Sequence, residues 1–196
     1  DKNPEERRLL YVKYIDEYQD EKVAVGLLKR INKMVFSQQV KIMEVCGSHT
    51  TAIYKYGIKT LISDKIELIS GPGCPVCVTA DTFINKAISL ARKEEVIVTT
   101  FGDLLRVPAN KSSLMKEISK GRNIKVVYSP LEAVDIARNN PEKEVIFLAV
   151  GFETTIPAIA LSVKKAKKLK LKTFSLLQSL KIMPPVLKQL LISDKT

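Results

Sequence analysis

Strands that alternate with helices along 196 residues predict an α/β protein, a parallel sheet with helices on both faces. Three observations carry that prediction. Short continuous apolar runs, such as Val96-Ile97-Val98 and residues 145–150, read as strands buried on both sides. Between them, apolar residues recur at helical spacing, as in Phe83, Ile84, Ala87, Ile88 and Ala91. Turns marked by Gly or Pro separate the two patterns at residues 71–73, 102, 129–130 and 151. The rhythm is Rossmann-like, with one complete unit over residues 1–140 and the start of a second, similar unit over 141–196.

Taken in order, residues 15–35 predict a helix with Ile15, Val23, Val25, Leu27, Leu28, Ile31 and Met34 as its apolar stripe. Residues 40–45 predict a fully buried strand ending at Cys46, and 50–62 a helix. Strand 66–69 runs into the Gly71-Pro72-Gly73 turn, and a helix at 80–93 follows. Strand 95–100 is broken at Gly102-Asp103. A helix near 113–119 has Gly121 as its C-terminal stop. Strand 124–128 precedes a helix that Ser129-Pro130 opens and that runs to about residue 138, with Pro at the first helical position. Asn139-Asn140-Pro141-Glu142 is the most linker-like stretch. Strand 145–150, helix 156–169, strand 173–177 and a helix restarted at Pro184-Pro185 complete the pattern.

Composition narrows the function. A hydrophobic content of 45% suffices for one good core, or one domain and part of a second, and 27% charged residues argues against wholesale disorder. No apolar run reaches the length of a membrane span, and residues 1–8 lack the apolar core of a secretory signal. Three cysteines, two of them three apart, do not suit a disulfide framework, so a reducing cytoplasm is the expected compartment. The net charge of +11 invites a nucleic-acid reading, and residues 164–172 hold the densest lysine cluster. Leu161, Val163, Ala166 and Leu169 keep helical spacing there, so those lysines line a solvated face. With no interleaved aromatics and no nucleic-acid motif, an acidic partner protein suits the charge better.

The chemistry-bearing residues sit at strand-to-helix turns, where open α/β sheets bind ligands. Cys74-Pro75-Val76-Cys77 is expected at a helix start, where amides and the macrodipole favour a thiolate at Cys74. It reads as a redox pair or a metal anchor, against the plain alternative of two buried small hydrophobes. Cys46-Gly47-Ser48-His49 admits a metal-ligand pair, a Cys–His nucleophile, or a turn capped by Ser48 or Thr50. Together Cys46, His49, Cys74 and Cys77 have the ligand count of a structural zinc site, although such knots usually staple domains without a core. In Gly151-Phe152-Glu153-Thr154-Thr155, Glu153 is a candidate proton acceptor and the threonines are candidate helix caps. Asp103 is either functional or a cap. No turn matches a nucleotide-binding pattern, so no nucleotide is expected.

In this order, residues 44–50, 71–78, Thr100-Phe101-Gly102-Asp103 with Arg106-Val107-Pro108, Tyr128-Ser129-Pro130, and 151–155 with Pro157 closely resemble the HypD family of hydrogenase-maturation proteins. The resemblance covers residues 14–190. It implies a cytoplasmic scaffold that, with the small protein HypC, assembles the Fe(CN)2CO group of nickel–iron hydrogenase and receives cyanide through HypE and HypF. On that resemblance Cys46 is the iron-binding thiolate with His49 beside it, Cys74 and Cys77 are the redox dithiol, and Glu153 belongs to the surroundings of the cleft. Asp103 or Glu153 would manage protons or orientation. The family often carries a second histidine where this chain has Thr51, and another before the Ile-Pro segment, where this chain reads Ser179-Leu180-Lys181. Its C-terminal domain with a 4Fe–4S cluster has no counterpart here, and Cys77 is the last cysteine, so this chain's own residues are not expected to form that cluster.

Overall fold

The computed structural model describes residues 20–110 and 112–193. The chain divides into two compact units, Asp1–Cys74 and Pro75–Thr196.

In the first unit, α1 spans Glu21–Asn32 and starts at Asp20, whose carboxylate accepts the N–H groups of Lys22 and Val23 at 2.8 and 3.2 Å. Ile15, assigned to this helix from the sequence, lies outside the described residues. Strands β1 (Val40–Glu44) and β2 (Ile66–Ser70) pair in parallel, with Val40 opposite Ile66 and Glu44 opposite Ser70. The helix expected over 50–62 is two helices, α2 (Gly47–Lys55) and α3 (Ile58–Leu61). Gly57, at φ +61°, makes the break, a left-handed conformation that glycine adopts without a Cβ clash. Asn32 ties α1 to the approach of β2, donating to the Leu61 carbonyl at 2.8 Å and accepting the Ser63 N–H at 2.7 Å. β1 is not the fully buried strand its composition predicts. Ile42 and Met43 are 48% and 38% exposed, because β1 pairs with one strand only among the described residues.

The second unit holds a four-stranded parallel sheet. Its elements are α4 (Asp81–Ala91), β3 (Val96–Thr100), a 3₁₀ turn (Gly102–Arg106), α5 (Leu114–Ser119), β4 (Ile124–Val126), α6 (Pro130–Asn139), β5 (Glu144–Gly151), α7 (Ile156–Lys168), β6 (Phe174–Leu180) and α8 (Met183–Ser193). The strand order is β4-β3-β5-β6. Side chains of β5 alternate between two cores, as strand geometry requires. Ile146, Leu148 and Val150 pack with Ile84, Ala87, Ile88 and Ala91 of α4 and Leu114 of α5. Phe147 and Ala149 face Ala133 of α6 and Ile159 of α7. Helices thus cover both faces, the Rossmann-like arrangement expected. Ser129 caps α6 through Leu131 N–H with Pro130 in its first turn, and Gly121 turns at φ +79° after α5.

The sheet takes strands from both sides of residue 140, the point where the sequence suggests a domain boundary. Asn140 instead bonds back to Ile136 through its side chain at 2.7 Å, and β5 enters between β3 and β6 directly afterwards. The compact units divide between Cys74 and Pro75.

Glu117 is 1% exposed yet fully engaged. It accepts from Arg92 Nε and Nη2 at 3.1 and 2.9 Å, from Ser112 Oγ at 2.7 Å and from Lys120 Nζ at 3.0 Å. These bonds hold its carboxyl far below the ordinary value, Arg92 first and Ser112 next, against desolvation. They fasten the six-residue α5, too short to persist by itself, to the end of α4.

Candidate functional site

Parallel strands end on the same edge of their sheet, so the loops that follow them meet there. In the first unit, β1 and β2 end at Glu44 and Ser70, and the Gly71 N–H donates to the Glu44 carbonyl at 2.8 Å. The Gly71-Pro72-Gly73 turn therefore lies against the residues that lead into Cys46. A Cβ on Gly71 would stand 2.6 Å from the Met43 side chain, and one on Gly73 only 2.5 Å from the Cys46 Cα. Such approaches admit glycine alone. With consecutive Cα atoms ~3.8 Å apart, the Cys46 and Cys74 Cα atoms lie within about 8 Å of each other.

Cys46 is the N-cap of α2, with extended backbone at φ −153° and ψ 122°. Its carbonyl accepts the N–H groups of His49 and Thr50 at 2.9 and 3.1 Å. Neither Ser48 nor Thr50 is the cap. Thr50 donates its hydroxyl to Glu44, and the other Glu44 oxygen accepts the Cys46 N–H at 3.2 Å. Glu44 and Thr50 thus brace the backbone on either side of the thiol, and the Thr50 hydroxyl, ahead of the Cys46 N–H, holds the Glu44 carboxyl low. The thiol of Cys46 is also held below its ordinary value. The main cause is the backbone N–H of His49, then the hydroxyl and N–H of Ser48, against desolvation and the Glu44 charge. Cys46 is half-buried and His49 exposed.

The helix-start environment expected at Cys74 is found at Cys46. Residues 75–78 form a turn, and α4 begins only at Asp81. Thr79 closes that turn, donating its N–H to the Val76 carbonyl at 3.1 Å and its hydroxyl to the Pro75 carbonyl at 2.8 Å. Cys74 and Cys77 are disulfide-bonded, leaving Cys46 as the free thiol. Two members of the four-ligand zinc set are thereby joined to sulfur. No group of three or more His, Cys, Asp or Glu side chains is placed to hold a metal among the described residues.

In the second unit, the strand order reverses between β3 and β5, where such sheets open a crevice at their C-terminal ends. Asp103 follows β3 and Glu153 follows β5, so topology brings their loops to neighbouring strands. Asp103 is exposed within the 3₁₀ turn, whose cap position is Phe101. Phe101 packs edge-on against Phe147 at 5.4 Å between centroids. Glu153 is half-buried, and its Oε1 accepts the Met183 N–H at 2.7 Å. It anchors the start of α8 from a loop thirty residues earlier. Thr155 occupies the cap position of α7 without a capping side-chain bond. Instead it packs against Gly151, where a Cβ would meet the Thr155 Cβ at 2.6 Å.

The candidate residues therefore fall into two groups. Cys46, His49 and Cys74 share one strand edge of the first unit, while Asp103 and Glu153 share the edge of the second sheet. Glu44 was not singled out from the sequence as a site residue. The available signal was a carboxylate placed two residues before a cysteine at a strand end.

A family profile described as "HypD: Hydrogenase formation hypA family" matches residues 22–196. The chain is 47% identical over 166 residues to the hydrogenase expression/formation protein HupD of Azotobacter chroococcum, covering 84% of this chain and 44% of that protein. Hydrogenase maturation factor HypD of Azotobacter vinelandii is 46% identical over the same shares. HypD of Escherichia coli is 38% identical over 80% of this chain and 43% of its own length. The chain spans less than half the length of these relatives.

Proposed function

From the premise that this chain belongs to the HypD hydrogenase formation family, we propose that it takes part in hydrogenase maturation as a scaffold on which an iron group is assembled. The observation that supports this most is Cys46. Its thiol is free, lies at a helix N-terminus, and is drawn toward the thiolate by the His49 amide. A thiolate is the form that binds iron. Iron here is cargo, carried as the Fe(CN)2CO group, with Cys46 as its ligand and His49 beside it. A HypC-like partner would supply the opposing ligand, and HypE would deliver cyanide, all in the cytoplasm.

Cys74 and Cys77 would serve as the redox pair. Two-electron reduction of the iron-bound group would oxidise their dithiol to the disulfide and release two protons, and two equivalents of cellular thiol, themselves joined as a disulfide, would restore the dithiol. The Gly73 contact keeps Cys74 near the Cys46 backbone, so electrons would leave close to the bound iron. Asp103 and Glu153 would handle protons or orientation from the second sheet's crevice. No helix among the described residues is long and apolar enough to cross a membrane.

The test is anaerobic co-expression with a HypC-like protein, read by iron content and by infrared bands of bound cyanide and carbon monoxide. Iron and those bands should be present in the wild type and lost in Cys46→Ala. Because Cys74 and Cys77 are disulfide-bonded here, a second reading is a free-standing thiol–disulfide oxidoreductase. Disulfide exchange untouched by Cys46→Ala, with no iron retained by the wild type, would replace the scaffold reading with that one.

A further inference from the structure

We propose that the groove between α7 and the outer edge of β6 docks an acidic, apolar-faced segment of a partner protein. The groove is an open depression of about 420 Å³, lined by apolar Val163, Ala166, Leu171, Phe174 and Leu176 with Lys167 and Ser175 as its polar members. β6 pairs with β5 along its whole length on one side, and no strand pairs with its other edge among the described residues. An extended segment added there finds main-chain partners along β6 and pockets for alternate side chains.

Charge selects the occupant. Lys167 lines the groove, and Lys164, Lys168, Lys170 and Lys172, all exposed, lie within one or two residues of its lining positions in the chain. Lys165 is paired with Asp135 at 2.7 Å, but those five make no ion pair among the described residues. Lys170 stands at φ +54°, directly after the C-cap of α7. There the Leu171 N–H reaches the Ala166 carbonyl at 3.1 Å and the Lys170 N–H reaches the Lys167 carbonyl at 3.0 Å. That helix ending ordinarily takes glycine. A lysine held in this conformation sets a charge beside Leu171 on the groove floor. A second copy of the chain is disfavoured as occupant by the net charge of +11. Nucleic acid gains little from the floor, where Phe174 is the one aromatic lining residue. A strand alternating carboxylates with apolar side chains satisfies both floor and rim.

The proposal concerns a different surface from the thiol site and stands apart from the scaffold reading. The probe is a fluorescein-labelled peptide that alternates Glu with Leu and Val, titrated with the full 196-residue chain by fluorescence anisotropy. Binding is expected to weaken at least tenfold in the double variant Lys167→Glu, Lys170→Glu and at least fivefold in Val163→Arg. Lys170→Gly removes the charge while relieving the backbone, so it should keep the fold, checked by circular dichroism, and weaken binding about threefold. The double variant Lys29→Glu, Lys33→Glu makes the same change in net charge at the C-terminal end of α1 and should leave affinity within twofold. Equal affinity for an acidic peptide without apolar residues would overturn the proposal. So would tighter binding of a single-stranded oligonucleotide to the same lysines, or a dimer of the chain that excludes the peptide.

Discussion

Gly73 lies so close to Cys46 that a Cβ on the glycine would stand 2.3 Å from the Cys46 amide nitrogen. The turn that introduces one cysteine is thus wedged against the backbone of another, which lies twenty-eight residues before it in the chain. That nitrogen is the one that donates to Glu44, so crowding at residue 73 is transmitted to the thiol's immediate support.

Gly73→Ala should therefore displace the start of α2. Overpacking of this kind destabilises by about 1–3 kcal/mol. More informative is the Cys46 thiol, which loses its alignment with the His49 N–H. Its alkylation midpoint against pH should move upward, toward the ordinary thiol value of about 8.5. An unmoved midpoint would show that the close approach does not set the thiol's environment.

Wild-type Cys46 should alkylate with iodoacetamide at a lower pH midpoint than an unperturbed thiol, because amide and hydroxyl donors favour its anion. Ser48→Ala removes one donor and should raise the midpoint. Glu44→Gln removes the opposing negative charge and should lower it. The opposite sign in both variants would contradict the electrostatic account.

Acid stability should report on Glu117. Its folded-state pKa lies below its unfolded value, about 4.3 for a glutamate, so its contribution is complete above that value and is lost as pH falls below it. Glu117→Gln should destabilise the chain by about 2 kcal/mol at neutral pH, since Arg92 and Ser112 lose a charged acceptor. It should also flatten the acid limb of a denaturant-midpoint profile. A limb as steep as that of the wild type would assign the acid sensitivity to other carboxylates.

For Glu153, the structure separates two duties. Glu153→Ala should expose the Met183 N–H, and amide exchange in the first turn of α8 should quicken about fivefold, equivalent to a lost cap of about 1 kcal/mol. Glu153→Gln keeps a carbonyl acceptor and should restore the protection. If the Gln variant were folded and protected but failed in iron-group assembly, the carboxylate charge itself would be required.

The regular elements were legible wherever pattern and punctuation agree. Val96-Ile97-Val98, the Ser129-Pro130 start and the apolar face of α4 emerge where local chemistry predicts them. What escaped depends on partners distant in sequence. β1 reads as buried because its residues are apolar, but strand burial depends on neighbours that its own sequence does not name. Gly57 falls inside a helical pattern that continues across it, so periodicity ran through a real break. Pro75 suggested a helix start at the paired cysteines. Thr79 instead folds its hydroxyl and N–H back onto that segment, and this local competition delays the helix to Asp81. At the site, the thiol at a strand end was legible. The amides that tune it and the carboxylate that braces it required the turn geometry.

In the second unit, Val98 stands opposite Ile146, and that alignment fixes how far the loops after β3 and β5 project beyond the sheet. A slip of one residue would shift one loop by about 3.3 Å and turn Phe147 to the opposite layer. The spacing between Asp103 and Glu153 is thus calibrated by buried hydrocarbon that touches neither of them. Substitutions at Ile146 or Phe147, which carry no ionisable or nucleophilic group, would alter the crevice as a misplaced ruler mark alters every length read from it.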